Sequence, residues 1–296
     1  MKNFIRDIKL SFGNATALYR LMMINIIVFL LIQAIRLVFF LTGNHADSFM
    51  DYAYHLSLPA AFSELLINPW SIFTYMFLHF NFMHIFFNML ILFWTGKLFT
   101  EYLGNDKLWA TYILGGLAGA LSYLIVYNVF PVFAQGIESA RLLGASAGVI
   151  AVMVGIATLL PDFTVQLLLF GPVRLKYIAL FSILLYAISI PDGNAGGNIA
   201  HLGGAFFGFI MVKQLKKGND LTAWLVKLGS RFNKPRMRVA ASKKKRGETE
   251  TDYVERRKSR QEIIDKILDK ISQSGYESLT TEEKDILFKA SKNFKE

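Results

Sequence analysis

Apolar residues run along this chain in blocks much longer than an amphipathic surface element needs, and the polar residues collect between the blocks. Six runs approach the ~17 to 25 residues that carry a helix across a bilayer: 19 to 42, 79 to 100, 107 to 130, 144 to 160, 177 to 190 and 197 to 213. The fifth is short. The fourth, from Gly144 to the residue before Pro161, extends only about 25 Å as a helix against a hydrocarbon core of about 30 Å. The spacing predicts an all-α fold, a polytopic bundle of six transmembrane helices spanning residues 19–213, after a short cytoplasmic segment, 1–18. The first run is too long for a signal peptide and lacks a cleavage-site pattern, so it reads as a retained anchor.

Past residue 213 the pattern changes. Residues 214–252 read as a basic linker and 253–296 as a small cytoplasmic helical hairpin. In the tail Ile263, Ile264, Ile267, Leu268 and Ile271 make one apolar stripe, Gly275 stands where a C-cap glycine would, and Thr280 with Glu283 forms a capping-box pattern. Solvated charged helices of this kind serve stability or docking, and nothing in the tail names its partner.

Composition agrees with the blocks: 53% of residues are hydrophobic and 14% aromatic, which places the chain among membrane proteins. Charge sets the expected orientation, because Lys and Arg are retained on the cytoplasmic side. Lys2, Arg6, Lys9 and Arg20 precede or open the first run, whereas residues 42–73 hold no Lys or Arg and carry Asp47, Asp51 and Glu64. Lys97 and Lys107 bracket the second connection, Arg174 and Lys176 lie in the fourth, and Lys213, Lys216 and Lys217 open the tail. The third connection holds only Arg141, and the fifth, "PDGNAGG", has no basic residue. Both termini are therefore expected on the cytoplasmic side.

Of the +10 net charge, 13 Lys and Arg stand against 9 Asp and Glu up to Lys217, and 19 against 13 beyond it. The stretch "ASKKKRGETE" suits an anionic inner leaflet, and nucleic acid is not an expected partner. The chain has no cysteine, which excludes disulfides, a thiolate nucleophile and a thiolate metal site. It also lacks H-E-x-x-H, so no metal or cofactor is expected.

Polar groups inside a membrane are costly and point to function. His84 and Asn88 lie four residues apart in "HFNFMHIFFNML", on one helix face and able to aim at one point. His201 lies in "NIAHLGGAFFG", and Ser146 opens the fourth run within "GASAG". With the second, fourth and sixth runs all starting outside, these four groups come to similar depth below one face. A serine hydroxyl needs a base, and a neutral imidazole is the usual one. An amide substrate also needs donors for its oxyanion. Ser146 as nucleophile and His201 as base, with His84, Asn88 and the Ser146 backbone N–H as oxyanion donors, meet those needs. No carboxylate lies at that depth, so a Ser-His dyad is expected. Gly144 with Gly148, and Gly204 with Gly208, form small-xxx-small pairs expected to bring the fourth and sixth helices together. Helix packing with an incidental serine explains the glycines but not the convergence. A small transporter would need charged residues near the midplane; Arg36, near the outer part of the first run, is better placed to snorkel.

These residues resemble the rhomboid intramembrane serine proteases over residues 60 to 213. "HFNFMHIFFN" is similar to the family's second-span signature, with His79, His84 and Asn88 in register; "GASAG" resembles its nucleophile motif; "AHLGGAFFG" resembles its sixth-span signature. The resemblance implies the same dyad and the same oxyanion hole, with Gly144 in the nucleophile loop. It implies an intramembrane endopeptidase acting on single-pass or polytopic membrane proteins within or beside their membrane helices. Three departures stand out: Ala147 follows the serine where glycine is common, Ile150 occupies a position where an aromatic often packs on the imidazole, and Trp70 is followed by Ser71 instead of arginine. A catalytically silent rhomboid-like adaptor in trafficking or quality control is the alternative, and would be expected to lack the serine or the histidine. Both are present.

Overall fold

A computed structural model of the chain describes residues 16–43, 49, 53–167, 171–232, 250–275 and 278–293. Lys2, Arg6, Lys9, Asp47, Asp51 and residues 233–249 of the basic linker lie outside the described residues. Two compact units divide at residues 234 and 235.

The first unit is mostly helical. Helix α1 (Ala17–Leu41) is followed by a short strand β1 (Leu58–Pro59), two short helices α2 (Phe62–Ile67) and α3 (Ser71–Thr74), then α4 (Phe82–Leu103) and α5 (Asn105–Val129). A second short strand β2 (Arg141–Leu142) precedes α6 (Ser146–Leu159). The hairpin of β3 (Thr164–Leu167) and β4 (Gly171–Arg174) leads into α7 (Leu175–Ile188), α8 (Ala195–Leu215) and α9 (Ala223–Phe232). Among the described residues four helices, α1, α4, α5 and α8, are long and apolar enough to cross a membrane. The fourth and fifth expected spans are shorter than the rest: α6 and α7 have 14 residues each, about 21 Å of helix. Helix α9 falls inside residues 214–252, where the sequence predicts a linker.

Helix α6 is the axis of this unit. Every residue from Ala147 to Ala157 is buried, as expected of a helix apolar on all sides, and α4, α5, α7 and α8 pack around it. Small residues make the central contacts close. A Cβ added to Gly204 would lie 2.1 Å from the Ala147 carbonyl oxygen, and one on Gly208 would lie 2.2 Å from that of Ala151. On α5, a Cβ at Gly119 would meet the Ala147 methyl at 2.5 Å and one at Gly115 the Ala151 methyl at 2.2 Å. Helix α1 is peripheral: Ala17, Leu18, Leu21, Asn25 and Ile32 are its buried residues, and most of its exposed residues are apolar.

One part of the glycine expectation needs correction. Gly204 and Gly208 do admit α6, but they press on Ala147 and Ala151, not on Gly144 and Gly148. Gly148 faces α5, where a Cβ would lie 2.6 Å from the Tyr112 carbonyl oxygen. Gly144 precedes the helix altogether, since α6 starts at Ser146. The helical register decides this: Ala147 and Ala151 turn their carbonyls to α8 and their methyls to α5, and Gly148 is rotated about 100° away.

In the second unit, α10 (Glu250–Ser274) and α11 (Thr281–Asn293) flank Gly275 at φ +74°. The expected capping box forms reciprocally: Thr280 N–H donates to Glu283 Oε2 at 2.7 Å and Glu283 N–H to Thr280 Oγ1 at 3.3 Å. Lys270 Nζ donates to Glu283 from the other helix at 2.9 Å.

Candidate active site

The site is assembled at three helix starts, where backbone amides lack intrahelical acceptors. At α4, Asn81 caps the helix by accepting from Met83 N at 2.8 Å and His84 N at 3.4 Å, which fixes His84 in the first turn and Asn88 one turn deeper. At α8, Asn194 accepts from Gly197 N at 3.3 Å, and His201 lies one turn further along. Ser146 is the first residue of α6.

The approach of α8 to α6 brings Ser146 Oγ to 2.6 Å from His201 Nε2. His201 Nδ1 is buried with no hydrogen-bond partner among the described residues. His84, Asn88, Ser146 and His201 all border one cavity of about 530 Å³. Met83, Phe87 and Ile91 of α4, Ile150 of α6 and Tyr186 of α7 supply its apolar wall, and Asn194 and Gly197 belong to its rim. Arg141 is the one lining residue with a full charge among those described.

The loop before Ser146 is held residue by residue. Gly144 has φ +120°, a conformation that glycine alone adopts without strain, and a Cβ there would lie 2.6 Å from the His84 ring. Its N–H donates to the Tyr75 carbonyl at 2.9 Å, and the Ala145 N–H donates to His79 Nε2 at 3.3 Å. With those two amides engaged, the Ser146 N–H is the next along the chain, at a helix start where the dipole favours negative charge. Tyr75 is fixed in turn by its hydroxyl, which donates to Gly116 O at 2.6 Å. Tyr112 donates to Met76 O at 2.9 Å and accepts from Asn25 Nδ2 of α1 at 3.2 Å.

Two supports were not assigned from the sequence. His79 is fully buried, and its Nε2 accepts from both Asn88 Nδ2 at 3.1 Å and the Ala145 amide. Accepting at Nε2 leaves the proton on Nδ1, which lies 3.3 Å from Phe77 O. One N–H of the Asn88 carboxamide is thereby anchored, and the second is unused among the described residues. The other support is the segment 140–142. It pairs with 58–60 through Leu58 with Leu142 and Pro59 with Arg141, and Arg141 forms an ion pair with Glu64 of α2. Spacing within one segment shows neither, because the partners stand 66 and 77 residues apart in the chain.

Two family models match this chain. That of the rhomboid domain matches residues 68–217, which carry the whole constellation, and one of a family of unknown function, DUF6576, matches residues 248–293. RHOMBOID-like protein 12, mitochondrial, of Arabidopsis thaliana is 30% identical over 181 residues, 58% of this chain and 49% of that protein. The chain thus spans about half the length of the curated relative it matches. It is an integral membrane protein and belongs to the rhomboid family.

Proposed function

We propose that this rhomboid-family chain is an intramembrane serine endopeptidase that cuts other membrane proteins within or beside their transmembrane helices. The observation that carries the proposal is the 2.6 Å contact of Ser146 Oγ with His201 Nε2, at the edge of a cavity that also exposes His84 and Asn88. Serine attacks the scissile carbonyl carbon while its proton passes to His201 Nε2. The carbonyl oxygen becomes an oxyanion, received by the Ser146 N–H, the free N–H of Asn88 and the His84 imidazole. His201 then gives its proton to the departing amine, and the C–N bond breaks to leave an acyl-serine. Water, deprotonated by the same imidazole, attacks that ester, and the proton returns to the serine oxygen as the C–O bond opens. The pair works as a dyad, since no carboxylate reaches His201 Nδ1 among the described residues.

In this reading all six helices cross the bilayer, α6 and α7 as short crossings, with both termini cytoplasmic in a bacterial inner membrane. The site opens to the outer face, and the short α6 leaves its start below the membrane surface, in a cavity that water can reach. Substrates are single-pass or polytopic proteins whose helix can unwind at the cut, because helical carbonyls are otherwise engaged in i to i−4 bonds. The Ala195 end of α8, with Asn194 and Gly197 on the cavity rim, is the natural place for a movable cap. The chain acts in four parts: a cytoplasmic lead at 1–18, the protease at 19–213, a basic linker at 214–252 and a helical hairpin at 253–296. The test is cleavage of a model single-span substrate by purified protein in detergent, with the new termini mapped by mass spectrometry. Cuts at the outer part of the span are expected; a folded protein that binds the span and never cuts it belongs to the silent-adaptor reading instead.

A further inference from the structure

Tyr186, in the last turn of α7, lies against His201 with ring centroids 4.3 Å apart and ring planes inclined by 59°. The rest of that imidazole is sparsely held. Nε2 meets Ser146 Oγ, while Nδ1 is buried and makes no hydrogen bond among the described residues. A base that takes a proton from a hydroxyl and later hands it to an amine must keep Nε2 directed at both positions. One hydrogen bond along one axis leaves rotation about that axis free, and a third group on Nδ1 normally removes the freedom. Among the described residues nothing polar does so. Ile150, one turn past Ser146 on α6, is buried at the cavity wall but offers no aromatic face.

We propose that Tyr186 is the positioning residue of the base: its ring, supplied from α7, sets the plane of the His201 imidazole. This rests on the reading of Ser146 and His201 as a dyad. The contact is between rings, so a phenylalanine can make it and an aliphatic side chain cannot. Its place in the fold has a consequence. The buried residues of α7 are Leu175 and Ala179, both near its start, whereas Tyr186 is about two turns beyond them. The orientation of the base therefore follows the less anchored end of a peripheral helix, and anything that shifts that end alters turnover before it alters substrate binding.

The experiment uses the full chain in detergent and measures the rate of covalent labelling by a fluorophosphonate, together with kcat and KM for a model single-span substrate. Tyr186→Leu is expected to slow labelling and lower kcat about two- to tenfold with KM little changed, the range of one aromatic pair. Tyr186→Phe restores most of the lost rate, and Ile150→Phe added to Tyr186→Leu recovers part of it by offering a ring from α6. If Tyr186→Leu does not yield folded protein, Tyr186→Met takes its place under the same criteria. Labelling of Tyr186→Leu at the wild-type rate, or a loss in Tyr186→Phe as large as in Tyr186→Leu, overturns the proposal and leaves the dyad standing. Wild-type protein that takes no label at Ser146 overturns the dyad reading itself.

Discussion

Gly204→Ala adds one methyl group where, among the glycines described, a Cβ comes nearest to the backbone of another helix. That carbon would stand 2.1 Å from the Ala147 carbonyl oxygen, about 1.3 Å short of ordinary contact. A carbonyl inside a helix cannot swing away, so α8 and α6 have to separate by roughly that amount. Gly204 is three residues from His201, and Ala147 adjoins Ser146, so most of the separation reaches the 2.6 Å contact between the pair. An increase of about 1 Å takes it past the ~3.2 Å limit of a useful hydrogen bond, and a misplacement of that size costs about 100-fold in rate, or about 2.7 kcal/mol. Overpacking costs roughly 1–3 kcal/mol of stability, offset by about 1 kcal/mol of helix propensity gained over glycine, so the variant should stay folded. Gly208→Ala makes a matching clash, 2.2 Å from Ala151 O, one turn further from His201. The assay is substrate cleavage alongside thermal unfolding of both variants in detergent. Expected are similar melting temperatures and a much larger loss of turnover for Gly204→Ala. A folded Gly204→Ala with near wild-type cleavage, or Gly208→Ala inactivated as strongly, would refute the idea that this approach sets the pair.

Other outcomes follow from the supports of the site. His79→Leu leaves Asn88 Nδ2 and the Ala145 amide without their acceptor; each unpaired donor costs about 1–3 kcal/mol, so both melting temperature and turnover should fall, whereas a surface-like response in both would contradict the bridging role. Glu64→Gln removes the charge partner of Arg141 and should cost about 1 kcal/mol in thermal unfolding, with slower fluorophosphonate labelling because the segment before Ser146 loosens. In the tail, the Lys270 hydrogen bond foremost, with the Thr280 amide, holds the Glu283 carboxyl below its ordinary value of 4.5. A depressed carboxyl stabilises the fold above its unfolded pKa and loses that effect as pH falls through the folded value. Carboxyl-carbon NMR of the full chain, with Glu283→Gln for assignment, should show a midpoint below 4.5 that rises in Lys270→Ala; a midpoint at the ordinary value would contradict the pairing.

The parts legible in the sequence were those written in local spacing. The i, i+4 placement of His84 and Asn88, the serine at the start of an apolar helix and the Thr280–Glu283 box each need only one segment to be read. The long runs located α1, α4, α5 and α8 within a few residues for the same reason. Partner choice was less legible. The small-xxx-small pattern indicates close approach, but not that the carbonyls of Ala147 and Ala151 meet α8 while Gly148 meets Tyr112 of α5, because alanine is small enough to serve and rotation of α6 is a tertiary property. His79 carries a recognisable motif position, yet its bridging bonds depend on where Ala145 comes to rest. Tyr186 could not be singled out in a run as aromatic as "YIALFSILLY", where Tyr177, Phe181 and Tyr186 are equal candidates to face inward. Arg141 read as a lone loop charge, since its partner Glu64 lies across two membrane helices in sequence.

In the proposed function Ser146, activated by His201, is the nucleophile of an intramembrane protease. Intact-mass analysis of the purified protein after fluorophosphonate treatment, with peptide mapping and a parallel cleavage assay, tests it most directly. One adduct at Ser146 is expected in the wild type, with neither adduct nor cleavage in Ser146→Ala and both strongly reduced in His201→Ala. Cleavage that persists in Ser146→Ala, or an adduct carried by a different residue, contradicts the account.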